Sequence, residues 1–468
     1  MQPNKKSMIR IFCLLTALFV LLAGYLLKIV FKDSEQMITN SYNPRVNVED
    51  HTIRRGDIKD INGVVLAYSE KDGETYVRRY NDGVDNAHVL GYTGMGKAGM
   101  EAAENFTLEH ISHEIQQRLS AFLRGTEVVG DSIALTVDSN LQKIATNLLG
   151  ENKGAVVVVE IKTGRVRAMV SKPNYDPQTI AGDWETLRQD ESSPILNRAT
   201  QGLYPPGSTF KIVTAVAAMR HLPDWQSFTY TCTGEEVFPD KVIHCFDGKA
   251  HGEVDLSGAF AQSCNCYFAK LAEKMGPEAL AETAQSLGFG QEMNFDLPSS
   301  TSSVALSGTS STSELVETAI GQGKTLATPL FMASLTAAVA NDGQWMKPYL
   351  LDHVENETGE TIKTVLPQSL GQIFSQEEAQ ALTEMMIGVV ETGTGRDADS
   401  DYFQVAGKTG TAENEGELDH LWFVGFAPAE DPQYAVAVIT ENAQGGTRPT
   451  VIARKMLYNA IYPEEAQS

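Results

Sequence analysis

Basic side chains are scarce in this sequence. Its 37 lysine and arginine residues face 60 aspartates and glutamates, which leaves a net charge of −23. A surface of that sign repels phosphate backbones, so we expect no nucleic acid partner. The remaining composition is ordinary for folded protein, with 42% hydrophobic and 21% charged residues, and 468 residues predict two or three domains.

Apolar runs of membrane length are also scarce, and the chain has one near its start. No charged residue interrupts Ile11 to Leu27, and residues 29–31 extend the run if Lys28 reaches the membrane interface. We predict a transmembrane signal-anchor over 11–31. Basic residues in 1–10 favour a cytoplasmic tail there, which places the rest of this single-pass protein of the cell membrane outside the cytoplasm. A cleaved signal peptide is the competing interpretation, but no small-x-small cleavage site follows.

A serine and a lysine stand at the start of a predicted helix. Residues 205–207, Pro-Pro-Gly, disfavour a helix and the apolar run after them favours one, so the helix is predicted to begin beside Ser208. Lys211 follows three residues later, on the same face and within reach of the Ser208 hydroxyl. A lysine kept partly neutral can activate a serine nucleophile, and a helix start offers free N–H groups to an oxyanion. Taken alone, the pattern is more typical of a helix N-cap followed by a surface lysine than of a catalytic pair.

Two further polar motifs follow in chain order. Ser263 and Asn265 lie in segment 255–275, which has a helical pattern, and they offer a proton-relay hydroxyl and a peptide-binding amide. The alternative for these two residues is a polar patch on an amphipathic helix.

The third motif is Lys408-Thr409-Gly410, in the strand-like segment 405–413. Lysine and threonine suit a substrate carboxylate, and glycine keeps an edge strand open to an extended peptide. The alternative is an edge strand blunted by lysine and glycine. Segments 420–428 and 434–441 are strand-like as well, so the three are predicted to form an antiparallel meander.

The chain divides into two predicted folded units after the anchor. Residues 34–130 form a small N-terminal pedestal domain, in which Asn62-Gly63 is typical of a hairpin turn. Residues 131–468 form the second unit. There the run 155–159 predicts a buried strand in a hairpin with 166–170, and 171–198 is a long connection of the kind that often belongs to a site.

The three motifs in this order resemble those of the penicillin-binding proteins and serine β-lactamases. Other stretches narrow the resemblance to the class B penicillin-binding proteins, the membrane-anchored peptidoglycan D,D-transpeptidases. The N-terminal signature departs from the family at Ile61, where an arginine is usual. The matching stretches are Arg55 to Ile58 with Asn62-Gly63 and Leu66-Ala67, Asn197 to Ala199, Ala319 to Gly323, and Trp422 to Pro428.

This resemblance covers nearly the whole chain and implies a fold. Residues 131–468 would be an α/β (α+β) penicillin-binding, serine β-lactamase-like transpeptidase domain, with an antiparallel sheet flanked by helices. Residues 34–130 would be a pedestal or dimerisation-like domain.

The resemblance also implies a reaction. In the family, the motif serine attacks the bond between the two terminal D-alanines of a peptidoglycan stem peptide, and an amine of a second strand then takes the acyl group. Carried over, Ser208 is the nucleophile, Lys211 its general base, and Ser263 the relay to the leaving nitrogen. Asn265 would bind the substrate backbone. β-Lactams would bind covalently to the same serine.

The third motif completes the implied site. Lys408 and Thr409 would fix the terminal carboxylate of the substrate, and Gly410 would leave room for its backbone. The N–H groups of Ser208 and Thr411 would form the oxyanion hole.

Two other functions stay open at this point. A D,D-carboxypeptidase would share the acylation step and pass the acyl group to water. A scaffold would use the anchor and residues 34–130 to activate a membrane glycan polymerase, with catalysis secondary. A β-lactamase is disfavoured because no Glu-x-x-Leu-Asn follows the second motif.

The implied chemistry needs no metal and no organic cofactor. Cys232, His244, Cys245 and His251 have a spacing that fits no common zinc site. A disulfide between Cys232 and Cys245 is the hypothesis we prefer to zinc in an oxidising compartment, with two free thiols as its alternative. Cys264 and Cys266 lie two apart on a predicted helix and are expected to point in different directions.

Overall fold

The computed structural model describes residues 5–28, 54–109, 129–413, 418–443 and 445–463. The helices of this part of the chain are α1 (Lys5–Lys28), α2 (Gly83–Leu90), α3 (Gly99–Ala103), α4 (Asn105–Glu109), α5 (Ser139–Leu149), α6 (Ile180–Gln189), α7 (Lys211–His221), α8 (Leu256–Ala261), α9 (Asn265–Met275), α10 (Pro277–Ser286), α11 (Thr312–Ala319), α12 (Pro329–Ala340), α13 (Gln376–Glu391) and α14 (Pro449–Ile461).

Short 3₁₀ turns lie at Gly207–Phe210, Phe246–Gly248 and Arg396–Ala398. The strands are β1 (Ile58–Lys59), β2 (Val65–Asp72), β3 (Thr75–Tyr80), β4 (Ser132–Leu135), β5 (Gly154–Glu160), β6 (Val166–Lys172), β7 (Tyr230–Cys232), β8 (Glu235–Val237), β9 (Val242–His244), β10 (Gly252–Val254), β11 (Gln344–Met346), β12 (Leu351–Glu355), β13 (Thr361–Thr364), β14 (Ser369–Gln372), β15 (Ala406–Ala412), β16 (His420–Ala427) and β17 (Tyr434–Thr440).

Helix α1 fits a single-pass membrane anchor. Its window from Met8 to Tyr25 has a mean hydropathy of 2.2, and none of that window is buried in the protein. The ends of the predicted anchor and tail, residues 1–4 and 29–31, lie outside the described residues, as do 34–53 and 110–128 of the predicted pedestal.

The small sheet has the strand order β13-β12-β4-β1-β2-β3. The hairpin predicted at Asn62-Gly63 is confirmed, since β1 pairs antiparallel with β2 around it. Strand β4 pairs with β1 in parallel, and β12 pairs with β4. Strands from both sides of residue 131 therefore share this sheet, and the division at that residue stays a prediction.

Arg55 organises the space between β1 and the helices α3 and α4. Its guanidinium lies 2.6 Å from a carboxylate oxygen of Glu101 and 2.8 Å from one of Glu109. Arg78 contacts the other oxygen of Glu101 at 2.6 Å. Burial opposes ionisation of Glu101, but the two guanidiniums outweigh it and hold the pKa of this carboxyl below its usual value. The first residue of the Arg-Gly-Asp-Ile signature is thus a buried structural cation.

The large sheet is antiparallel throughout, with the order β15-β16-β17-β5-β6. Alternate residues of β5 pack on opposite sides. Val157 and Val159 join the core with α7 and α12, whereas Val156 and Val158 join the core with α5 and α14. A strand buried on both faces is apolar at every position, which explains the valine run. The predicted hairpin, the meander and the sheet flanked by helices are confirmed.

Two segments differ from the sequence prediction. The connection 171–198 contains α6, and the helix predicted over 255–275 is interrupted between α8 and α9. Ser263 lies in the break with a φ of 56°, in the left-handed region that a serine rarely adopts. Cys264 then caps α9 by accepting from the N–H of Tyr267. The hydrophobic pattern continues through this break, so periodicity did not indicate it.

Candidate active site

The Ser208 turn is held from behind by backbone contacts. Ser208 is half-buried in the 3₁₀ turn Gly207–Phe210, which leads directly into α7. The N–H of Gly207 donates to the carbonyl of Gly321 at 2.9 Å. A Cβ at Gly321, whose φ is +74°, would lie 2.0 Å from the carbonyl oxygen of Gly207. This close approach explains why position 321 of the Ala319 to Gly323 stretch is a glycine.

Lys211 lies beneath the cleft and is fully buried. Its Nζ donates to the Ser263 carbonyl at 2.8 Å, the Ser263 Oγ at 3.2 Å and the Asn265 Oδ1 at 2.7 Å. Among the described residues, no hydrogen bond joins Lys211 to the Ser208 hydroxyl, which sequence spacing had placed within its reach. A buried amine requires acceptors, and the second motif supplies three.

The hydroxyl of Ser263 connects two lysines. It also accepts from the Lys408 Nζ at 3.0 Å, and Lys408 is as deeply buried as Lys211. Burial lowers the pKa of Lys211 to about 8, although the nearby thiols of Cys264, Cys245 and Cys266 act in the opposite direction. Burial, followed by the charge of Lys211, lowers the pKa of Lys408 well below its usual value. Two adjacent buried ammonium groups disfavour each other, so one amine is readily neutral.

The third motif lies on the edge strand β15, as predicted. Thr409 and Thr411 alternate with the inward-facing Lys408 and line the cleft, and the Thr409 hydroxyl lies 2.6 Å from that of Thr394. A Cβ at Gly410 would lie 2.8 Å from the carbonyl oxygen of Pro206. Gly410 therefore accommodates the Ser208 turn in addition to lining the cleft.

The cleft has a volume of about 820 Å³ and brings the predicted residues together. The predicted residues that line it are Ser208, Ser263, Asn265, Thr409, Gly410 and Thr411. The cleft is also lined by Gln322, which lies in a stretch noted for its family resemblance but was given no role, and by Thr394 and Arg448, which sequence reasoning missed. Thr394 stands in the glycine-punctuated run Thr392 to Gly395, which is the signal that could have indicated it.

The predicted disulfide is absent from the described residues, and the alternative of free thiols holds. The sulfurs of Cys232 and Cys245 lie 3.6 Å apart, against about 2.05 Å for a disulfide bond. Cys264 and Cys266 do not point apart as predicted, because their sulfurs lie 3.8 and 3.5 Å from that of Cys245. Cys264 precedes α9 as its cap, so helical spacing does not describe this pair.

Comparisons with known proteins agree with this geometry. Residues 154–460 match the penicillin binding protein transpeptidase domain, and residues 55–133 match the penicillin binding protein A dimerisation domain. The chain is 33% identical over 458 residues to the peptidoglycan D,D-transpeptidase PbpA of Mycolicibacterium smegmatis, covering 90% of this chain and 91% of the relative.

Solved structures give the same result. The D,D-transpeptidase domain of a peptidoglycan glycosyltransferase from Eggerthella lenta has a TM-score of 0.81 and 34% identity, covering 89% of this chain and 99% of that one. An imipenem acyl-enzyme of penicillin-binding protein A from M. tuberculosis has a TM-score of 0.82 and 30% identity, with coverages of 88% and 99%.

Proposed function

The chain belongs to the class B penicillin-binding proteins, and from that premise we propose that it is a peptidoglycan D,D-transpeptidase acting through an acyl-enzyme at Ser208. The observation that carries the proposal is the hydroxyl of Ser263, bonded to both Lys211 and Lys408 in the cleft that Ser208 lines. This arrangement can take the proton of the Ser208 hydroxyl and pass it to the leaving nitrogen of the substrate.

In the proposed acylation, Ser208 Oγ attacks the carbonyl carbon between the two terminal D-alanines. Its proton passes to the neutral amine of Lys211, and the N–H groups of Ser208 and Thr411 stabilise the oxyanion. The carbon–nitrogen bond then breaks. The proton reaches the leaving nitrogen through Ser263, and D-alanine departs as a free amine.

The second half of the reaction reverses these steps with a different amine. An amine of a neighbouring stem peptide gives its proton to Lys211 as it attacks the ester carbonyl, and the Ser208 oxygen leaves and is reprotonated. We assign the terminal carboxylate of the donor to the hydroxyls of Thr409 and Thr411, since Lys408 is buried and supplies charge from below. Asn265 would form a hydrogen bond with the backbone of the stem peptide that is being acylated onto Ser208.

The acylation rate should rise with pH. The active form of Lys211 is the neutral amine, about one tenth of the total at pH 7 for a pKa of about 8. The second-order rate of benzylpenicillin acylation, followed by intact mass, is therefore expected to increase nearly tenfold per pH unit below pH 8 and to level off above it. Lys408 and the thiols of Cys245, Cys264 and Cys266 share this environment, so the midpoint belongs to the group as a whole. A rate that falls between pH 6 and pH 8, with the melting temperature unchanged, would contradict a lysine base.

The function is tested with the full-length chain in detergent. Benzylpenicillin is expected to leave a stable adduct on the peptide that contains Ser208. A stem peptide ending in D-Ala-D-Ala, offered with an acceptor amine, is then expected to yield a cross-linked product together with free D-alanine. Free D-alanine with hydrolysed donor alone would instead identify a D,D-carboxypeptidase.

We also propose that α1 spans the cell membrane once, with the cleft on the extracytoplasmic side where peptidoglycan is built. The length and hydropathy of Met8 to Tyr25 support this placement. A membrane glycan polymerase remains our candidate partner for the anchor and the pedestal. If a Ser208→Ala chain sustained growth of cells that lack the wild-type protein, the scaffold role would be favoured over catalysis.

A further inference from the structure

A cluster of buried thiols and one imidazole lies directly behind the second motif. Cys232, Cys245, His251 and Cys264 place one ligand atom each so that all four atoms lie within 4.8 Å of one another. They come from four short elements within residues 232–264: the end of β7, the residue after β9, the residue before β10, and the cap of α9. The three cysteines are at most 2% exposed.

Three of the six distances between the ligand atoms of this cluster match the edges of a zinc tetrahedron, and the other three are at most 4.8 Å. Bonds of about 2.3 Å to sulfur and 2.0–2.1 Å to nitrogen imply edges of about 3.8 Å between sulfurs and about 3.6 Å between sulfur and nitrogen. The sulfur of Cys245 lies 3.6 Å from that of Cys232 and 3.8 Å from that of Cys264. The Cys232 sulfur lies 3.5 Å from the Nδ1 of His251.

The ligand types select the same metal. Thiolates and imidazole are the ligands of structural zinc sites, whereas magnesium and calcium require oxygen. The set differs from the one considered in the sequence. His244 is exposed, and its ring lies 3.7 Å from a carboxylate oxygen of Glu235, while Cys264 takes the fourth place.

We propose that Cys232, Cys245, His251 and Cys264 bind one Zn²⁺ tetrahedrally. On binding, each of the three thiols releases its proton to solvent and the imidazole binds through Nδ1. All four positions are filled by protein, so the site is structural and has no place for substrate.

The site would hold the second motif in place. Cys264 stands between Ser263 and Asn265, whose side chains contact the amine of Lys211. Ser263 has the left-handed φ of 56°, which costs free energy in a serine and persists only where the surroundings impose it. A metal bond to the next residue, together with the bond from Asn265 Nδ2 to the His244 carbonyl at 2.9 Å, fixes both ends of this turn.

A fourth thiol in this neighbourhood, Cys266, offers a matched control. Its sulfur is 3.5 Å from that of Cys245 but falls outside the four-atom set, and it lies 3.6 Å from the Ile243 carbonyl. Cys266→Ser therefore removes a buried thiol of the same neighbourhood without removing a proposed ligand.

The test measures metal content in the full-length chain, purified in detergent under reducing conditions without a polyhistidine tag. After incubation with ZnSO₄ and exhaustive dialysis, elemental analysis is expected to give about one Zn²⁺ per chain for the wild type and for Cys266→Ser. Cys232→Ser and Cys264→Ser are expected to bind zinc at least about tenfold more weakly, since loss of a residue that only hydrogen-bonds to a metal ligand already costs that much.

Cobalt gives a measurement that needs no variant. Co²⁺ added to the metal-free wild type is expected to produce the visible bands and the thiolate charge-transfer absorption of tetrahedral cobalt. Failure of reduced, folded protein to retain zinc or to give this spectrum would overturn the proposal, and so would equal zinc retention by Cys264→Ser and Cys266→Ser. If the isolated protein holds no zinc, and if its Cys232 and Cys245 resist thiol alkylation until the protein is reduced, a disulfide between these two residues replaces the zinc site. None of these readouts depends on transpeptidase activity.

Discussion

Replacement of Ser208 by alanine is expected to abolish the benzylpenicillin adduct and the release of D-alanine. The substitution removes the single oxygen that forms the acyl bond, and the lysines cannot replace it because both are buried beneath the cleft. Loss of the nucleophile in serine hydrolases costs on the order of 10⁶ in kcat. Intact mass after prolonged incubation with benzylpenicillin measures the first effect, and release of D-alanine from a stem peptide measures the second.

The exposed Ser227, whose hydroxyl bonds to the Asp224 carbonyl outside the cleft, provides the control. Ser227→Ala should form the adduct at the wild-type rate. Both variants should unfold at nearly the wild-type temperature, since the hydroxyl of Ser208 makes no hydrogen bond within the described part of the chain. If Ser208→Ala still formed the benzylpenicillin adduct at the wild-type rate, the nucleophile would have to be another residue.

Sequence patterns predicted much of the fold because local rules decide those parts. The valine run of β5 is buried on both faces of the sheet, and Asn62-Gly63 makes a hairpin between neighbouring strands. In each case the residues that determine the structure are close in the chain. The three motifs were linked to one cleft by family resemblance, since spacing alone could not show that β15 lies beside the Ser208 turn.

What could not be predicted depends on contacts between distant residues. The break at Ser263 is invisible to periodicity, because apolar positions continue on either side of it. Cys264 approaches Cys245 only through the fold of segment 230–254, so cysteine spacing did not indicate that these two sulfurs lie together. Likewise, β12 joins the small sheet from more than two hundred residues beyond β1, which no local pattern indicates.

Lys211→Met is expected to lower the rate of acylation by a factor of about 10³ to 10⁴ or more. Methionine nearly matches the length of lysine and keeps the buried stem packed, but it has no amine to accept the proton of Ser208. A general base contributes about 10²- to 10⁴-fold, and loss of one member of a catalytic unit often costs nearly as much as loss of all. The rate of benzylpenicillin acylation by intact mass is the measurement, with Lys274→Met, on the exposed face of α9, as the matched control.

Lys211→Arg separates the base from the cation. Arginine can still donate to Ser263 and Asn265, but it stays protonated at every pH that the protein tolerates. If Lys211 acts as the base, Lys211→Arg should be as slow as Lys211→Met and should lose the rise in rate toward pH 8. If the lysine only positions the second motif by its charge, Lys211→Arg should recover much of the activity, and the pH dependence must then arise from Lys408. Because the two amines share the hydroxyl of Ser263, this pair of variants decides which of them takes the proton.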